Sequence, residues 1–538
     1  MLKFTFFPNF PFSLCYTKKG ISLTILIIVS VLVFANTLRN PFMWDDAGLV
    51  DMISEQKYQK HLKNPLFFLT PSYWKDYSTF HDVDAYVPVA PMRTLSLAID
   101  YKIWQRNPFG YHLTNLILHV VNVILVYFLV IFLFPALSPL TALLTGLLFA
   151  THPMHTESVA WMKNRIDLLT SGFFLSSLIL FVKHIEQTQK VILRTKSEES
   201  QKRDASLSFS MTSSYFLLLA SCFCFILALL SKEIAVTLPA ILVLYIICFV
   251  PKNDWKKKII LTLPFWLLTF LYIYFSQYVL KSGMKLPLMA KIDPYSNILL
   301  VFKTLAYYIK LLLLPFSFNA DRVITMPKLL FEPGSFFSLI TVSGIIFAAV
   351  KVFKYSKELA FCIFWFFITI SPVSNIIYLA PRPIAEQRLY IPSIGFCILL
   401  GWLFANLSFV VRPFKVAPTG LLSVALARIN PRTTFVIFFL LIFSYSVAAI
   451  KRNSDWRNEI VFWRKTAEKS PYSPRAKTNL AEAYIKINDY VTARQLFEDV
   501  LKDYPDYPPA HIGLGMIYFK SGDAENAVRH FQKAGAVE

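Results

Sequence analysis

The sequence predicts an all-α protein, a polytopic helical membrane domain followed by a short helical solenoid. The chain of 538 residues is 55% hydrophobic and only 16% charged, and its mean hydropathy of +0.50 suits lipid-spanning helices rather than a soluble core. Its apolar residues gather into span-length segments flanked by Lys and Arg. Beyond residue 450 that pattern stops and a 34-residue period takes over.

Candidate spans fall at roughly 21–36, 112–135, 137–150, 165–182, 213–230, 234–250, 259–278, 335–353, 359–377, 389–411 and 433–450, about eleven in all. Lys18 and Lys19 precede the first and put the N-terminus in the cytoplasm by the positive-inside rule. No small-x-small cleavage site follows, so the segment reads as an anchor. Alternation then places the basic loop 183–203 and Lys252, Lys256, Lys257 and Lys258 inside. The stretch 296–316 carries Lys303 and Lys310 on one helical face, and it reads as an amphipathic helix at the outer interface. Counting it as a span would reverse the sidedness of everything after it. The membrane domain is thus expected over 1–450, with a long first outer loop at 37–111 and the C-terminus outside.

The formal charge is +21. From Lys451 onward fourteen Lys/Arg face twelve Asp/Glu, so about +19 belongs to the membrane part. It lies in short blocks beside the spans, as membrane anchoring requires, so nucleic-acid binding is a poor explanation of the basic pI and no nucleic-acid partner is expected. The six cysteines, Cys15, Cys222, Cys224, Cys248, Cys362 and Cys397, show neither metal nor disulfide spacing.

The region 451–538 is a separate module. Pro471/Pro505, Pro474/Pro508, Leu480/Leu514, Tyr484/Tyr518, Asp489/Asp523, Ala493/Ala527 and Phe497/Phe531 are each 34 apart, and Trp463 sits 34 before Phe497. This is the tetratricopeptide pattern of stacked helix pairs: a half repeat at 455–472 and repeats at 473–506 and 507–538. Its concave face can hold a peptide or protein, or the module can serve packing alone.

The unusual polar residues collect on the outer side. Trp44-Asp45-Asp46 opens the first outer loop, which also holds Asp82, Asp84 and Arg93. Paired carboxylates are costly beside hydrocarbon and suit general-base work on a substrate whose tail lies in lipid; they equally suit a solvated loop. His152, His155 and Glu157 lie within six residues. Imidazole and carboxylate suit zinc or manganese, but Pro153 keeps the two His off one helical face and no further ligand spacing follows. Hydrogen bonding to a sugar or phosphate, or loop structure, are the other readings. His112, Asn115, His119 and Asn122 form one stripe, for interhelical hydrogen bonds or for substrate. Arg388, Arg93 and Arg165 can fork onto a phosphate or snorkel to the headgroups. Several of them on the side that holds the acids point to an anionic substrate.

Trp44-Asp45-Asp46, 107–112 (NPFGYH), 152–157 (HPMHTE) with 164–169 (NRIDLL), Ser231-Lys232-Glu233 and 386–393 (EQRLYIPS), in this order and ending in the repeats, resemble the transmembrane and tetratricopeptide repeat-containing (TMTC) proteins and their prokaryotic relatives, a branch of the GT-C glycosyltransferases. The resemblance implies a GT-C-like fold and an inverting transfer from a polyprenyl- or dolichyl-phosphate sugar on the non-cytoplasmic side. It implies mannose and a protein Ser or Thr acceptor in animal members; a glycan or lipid acceptor, or a membrane scaffold or transporter, are the alternatives. It implies Asp45 or Asp46 as base, Asp45 favoured, and Arg388 at the donor phosphate, with Arg93, Arg165 and Lys232 as lesser candidates. Trp44, His152, His155, Glu157, Glu386 and Tyr390 are its candidate substrate contacts. No cofactor is expected, with a divalent metal ion as the alternative. The implied setting is a plasma or endoplasmic reticulum membrane, with repeats outside or in the lumen.

Overall fold

The computed structural model describes residues 19–54, 67, 70, 90–135, 139–197, 204–276, 293–376, 382–408 and 430–535, and among them the protein is helical throughout. Asp82 and Asp84 lie outside the described residues. Helices begin where the sequence supplies starts. Pro stands in the first turn at Pro91, Pro108, Pro294, Pro333, Pro431, Pro474 and Pro508, where its missing N–H has no intrahelical partner to lose. Asn107, Asp293 and Asn430 cap the following turns by accepting from Phe109 N, Ser296 N and Arg432 N.

The expected spans fall largely on helix where they are described, but the count of about eleven is not confirmed. Among the described residues seven helices are long and apolar enough to cross a bilayer, or up to eight with the bent pair Lys252–Ile260 and Leu263–Tyr274. Pro139–Thr151, Glu233–Phe249 and Ser393–Leu407 are shorter apolar helices. At 1.5 Å per residue, the 13 residues of Pro139–Thr151 reach about 20 Å, short of the ~30 Å hydrocarbon core. Pro294–Leu313, expected at the interface, is itself long and apolar enough to cross a bilayer.

The core is built on Pro108–Leu133, Pro139–Thr151 and the helix that begins at Arg165, against Lys19–Phe34 and Ser393–Ser408. Helices meet closely at small residues, as packing in lipid favours. A Cβ on Gly401 would lie 2.8 Å from the Thr145 backbone nitrogen. The polar stripe crosses this core as interhelical hydrogen bonds: Asn115 donates to Val159 O at 3.1 Å, Asn122 donates to Leu168 O at 2.9 Å, and His119 meets the Tyr390 hydroxyl at 2.7 Å.

Among the described residues, the loop expected at 37–111 carries the helices Asp46–Ser54 and Pro91–Trp104. The boundary expected at residue 450 falls inside a helix, because Pro431–Asp455 runs unbroken from the membrane domain to the repeats. The repeats then stack as Glu459–Lys469, Pro474–Lys486, Tyr490–Asp503, Pro508–Lys520 and Ala524–Gly535. Phe497 packs where a Cβ on Gly513 would stand, 2.2 Å from its ring.

Candidate active site

Trp44 has φ 55°, a left-handed backbone conformation that is costly for a bulky residue. The turn it makes sends the two carboxylates in different directions. Asp46 is fully buried and accepts from Met43 N at 3.2 Å and Lys163 N at 3.0 Å. Asp45 keeps 40% of its side chain exposed and is ion-paired to the Lys163 ammonium. Burial pushes the Asp46 carboxyl up to about 7, with its two backbone hydrogen bonds pulling the other way. One acid therefore ties the loop after the first helix to the 162–164 turn, and the other is partly exposed beside a lysine.

Around this turn lies an aromatic wall. Trp44 stacks on Trp161 with centroids 4.5 Å apart and planes 2° from parallel, and meets Trp463 of the half repeat edge-on at 4.8 Å. The Arg382 guanidinium stands 5.9 Å from the Trp44 ring centre. Arg382 also pairs with buried Glu157 at 2.6 Å, and Gln387 N donates to the second Glu157 oxygen at 3.2 Å. Glu386 is buried beside it, accepting from Asn319 N at 2.5 Å and pairing with Arg452 at 3.4 Å. Burial pushes the Glu386 carboxyl up, opposed by Arg452. Glu157 and Glu386 thus bind the 382–388 loop to the rest of the site.

Arg388 donates to Pro383 O at 2.7 Å and Arg382 O at 2.8 Å. These carbonyls leave its charge without a carboxylate at ion-pair distance among the described residues, and the side chain is only half-buried. Arg165 and Lys232 are placed differently. Arg165 is fully buried, paired with Asp100 at 2.5 Å, and donates to Asn115, Ser96 and Tyr111 O. Lys232 is buried on Asp167 at 2.8 Å. Both charges are neutralised inside the fold. Arg93 is buried as well.

His152, His155 and Tyr390 lie in the core rather than at the acid turn. His152 Nε2 faces Leu312 O at 3.3 Å; His155 bridges Phe149 O at 2.8 Å and Ser393 Oγ at 2.9 Å; the Tyr390 ring lies 4.7 Å from His155. Burial pulls His152 down to about 4 and His155 well below its usual range. Among the described residues no three His, Cys, Asp or Glu side chains are grouped to hold a metal ion.

The sequence reading missed Lys163, which binds both acids, and the role of Asp321, which latches the repeats by accepting from Ser473 Oγ and pairing with Arg475. Lys163 stands one residue before the 164–169 motif, and Asp321 lies in the polar run 319–322. Those positions were the only signals available.

The fold and site define a multi-pass helical membrane protein whose tetratricopeptide solenoid is docked onto an acid-bearing turn. The tetratricopeptide repeat family model matches residues 488–537. The chain's relatives are TMTC-family proteins. It is 23% identical to protein O-mannosyl-transferase TMTC3 of Mus musculus over 533 residues, covering 92% of this chain and 52% of that protein. It is 25% identical to a protein O-mannosyl-transferase of Caenorhabditis elegans over 490 residues, 86% of this chain and 60% of that one. The chain therefore spans about half the length of the curated relatives it matches. A distant likeness to the apo oligosaccharyltransferase of Archaeoglobus fulgidus (12% identity, TM-score 0.41, 86% of this chain and 60% of that chain) carries no argument.

Proposed function

We propose that this protein is an inverting glycosyltransferase that moves a sugar, mannose by its relatives' names, from a polyprenyl- or dolichyl-phosphate donor to a Ser or Thr hydroxyl on the non-cytoplasmic side. The observation that carries the reading is the division of labour in the acid pair. Asp46 is sealed and holds two loops together, while Asp45 is the carboxylate that a substrate can reach.

Asp45 takes the acceptor hydroxyl proton as that oxygen bonds to the anomeric carbon. The carbon–oxygen bond to the lipid phosphate breaks, and the phosphate leaves with the electron pair from the opposite face. Arg388, half-buried and without a carboxylate partner among the described residues, supports a role in stabilising the charge that grows on the leaving group. Glu157, Glu386 and Gln387 hold the loop that carries it. The repeats stand against the same turn, where an acceptor chain can be held.

The test is transfer from radiolabelled polyprenyl-phosphate mannose to peptides in membranes. Asp45→Asn is expected to cut the rate by about 10²–10⁴-fold, the usual size of a general-base contribution. Wild-type rates in both Asp45→Asn and Asp45→Ala would remove Asp45 as the base.

A further inference from the structure

We infer that the half repeat is a working part of the site, and that Trp463 is a positioning residue which holds the Trp44–Asp46 turn in its left-handed form. The kinetic part of this inference rests on the reaction proposed above.

The backbone at Trp44 is the starting point. A φ of 55° persists in a bulky residue only when the surroundings over-determine it. Two contacts do so here: the parallel stack of Trp161 on one side and the edge of Trp463 on the other. Trp463 is completely buried and is braced by Phe462 at 5.1 Å, which itself packs on Trp456 at 4.3 Å. The indole N–H groups of Trp161, Trp456 and Trp463 find no acceptor among the described residues. Ring packing rather than indole hydrogen bonding therefore places Trp161, Trp456 and Trp463 around Trp44.

Trp463 is itself held from both sides. Toward the C-terminus, Asp321 takes Ser473 and Arg475, Asn319 Nδ2 donates to Ser470 Oγ at 2.7 Å, and Lys469 Nζ donates to Phe318 O at 2.8 Å. Toward the N-terminus, Asp455 gathers Lys465 at 2.5 Å and Arg452 at 3.2 Å, and Arg452 reaches Glu386. The repeat is thus latched to the loops of the site, with an indole pressed on the residue that precedes the acids. Without that indole, Trp44 can relax to negative φ. Asp46 then leaves Met43 N and Lys163 N, and Asp45 turns away from the Lys163 ammonium.

The experiment uses the full chain purified in detergent, with Trp463→Ala, Trp463→Phe and, as a control in the last repeat, Phe531→Ala. Acylation of Lys163 by an amine-reactive ester, followed by peptide mass spectrometry, reads the Asp45–Lys163 pair without reference to activity. It is expected to speed up about tenfold in Trp463→Ala and to return toward wild type in Trp463→Phe, since small displacements have effects of up to roughly 10²-fold in such sites. In the transfer assay kcat should fall by a similar factor while KM for polyprenyl-phosphate mannose stays constant. Unchanged Lys163 reactivity in folded Trp463→Ala overturns the inference. So does Phe531→Ala reproducing the effect, which would mark general loss of the solenoid. If the wild type transfers no sugar, the proposed reaction fails while the Lys163 measurement still decides the positioning role.

Discussion

Asp46 is a carboxylate whose burial outweighs its two hydrogen bonds. Its native pKa of about 7 lies above the ordinary 3.8, so between these values the folded chain binds more protons than the unfolded one. Stability from this group is full below about pH 4 and declines as pH rises to about 7, by an amount on the order of a few kcal/mol. Thermal unfolding in detergent across that window should show the decline, and Asp46→Asn should flatten it. Arg165 makes a second residue-scale case. Its pair with Asp100 is sealed on both sides, and removing one partner leaves the other charge buried alone. Arg165→Met should therefore cost about 3–5 kcal/mol, seen as a lower midpoint of unfolding, with no selective loss of donor affinity.

Among the helices, the solenoid depends on small residues facing rings. Gly513 lies under Phe497, where even a methyl group would stand 2.2 Å from the ring. Gly513→Ala should overpack this contact and destabilise the repeats by about 1–3 kcal/mol, read from protease sensitivity of the 474–535 region. The docking of Pro474–Lys486 is polar and cooperative, because Asp321 serves Ser473 and Arg475 together. Asp321→Ala and Arg475→Ala should therefore be non-additive, and a double-mutant cycle on unfolding should return a coupling of roughly 0.5–3 kcal/mol. A coupling near zero would mean that the pair does not hold the module.

At the scale of the molecule, the membrane domain and the repeats share an apolar cluster in which Met43, Ala160 and Trp161 pack with Trp456, Phe462, Trp463 and Leu480. Truncation after Asp455 uncovers this cluster, whereas truncation after Asp503 removes only the final repeat. The first variant should lose stability and transfer together; the second should retain the Trp44 turn and lose at most acceptor affinity, as KM measurements on peptides would show.

The helical class, the repeats and the candidate acids were legible in the linear chain because each is a local property. Apolar runs, a 34-residue period and adjacent Asp45 and Asp46 need no knowledge of what lies across the fold. The span count was less legible, since Pro139–Thr151 and Pro294–Leu313 show that apolar content and helix length diverge. Which arginine remains unneutralised was not legible at all. Arg165, Arg388 and Lys232 look alike in sequence, but Asp100 and Asp167 neutralise two of them across distant segments, while among the described residues Arg388 meets carbonyls. The same holds for the acid pair. Two neighbouring aspartates are chemically equal until a left-handed Trp44 and the distant Lys163 leave one buried and the other exposed, because burial and ion pairing arise only where separate parts of the chain meet.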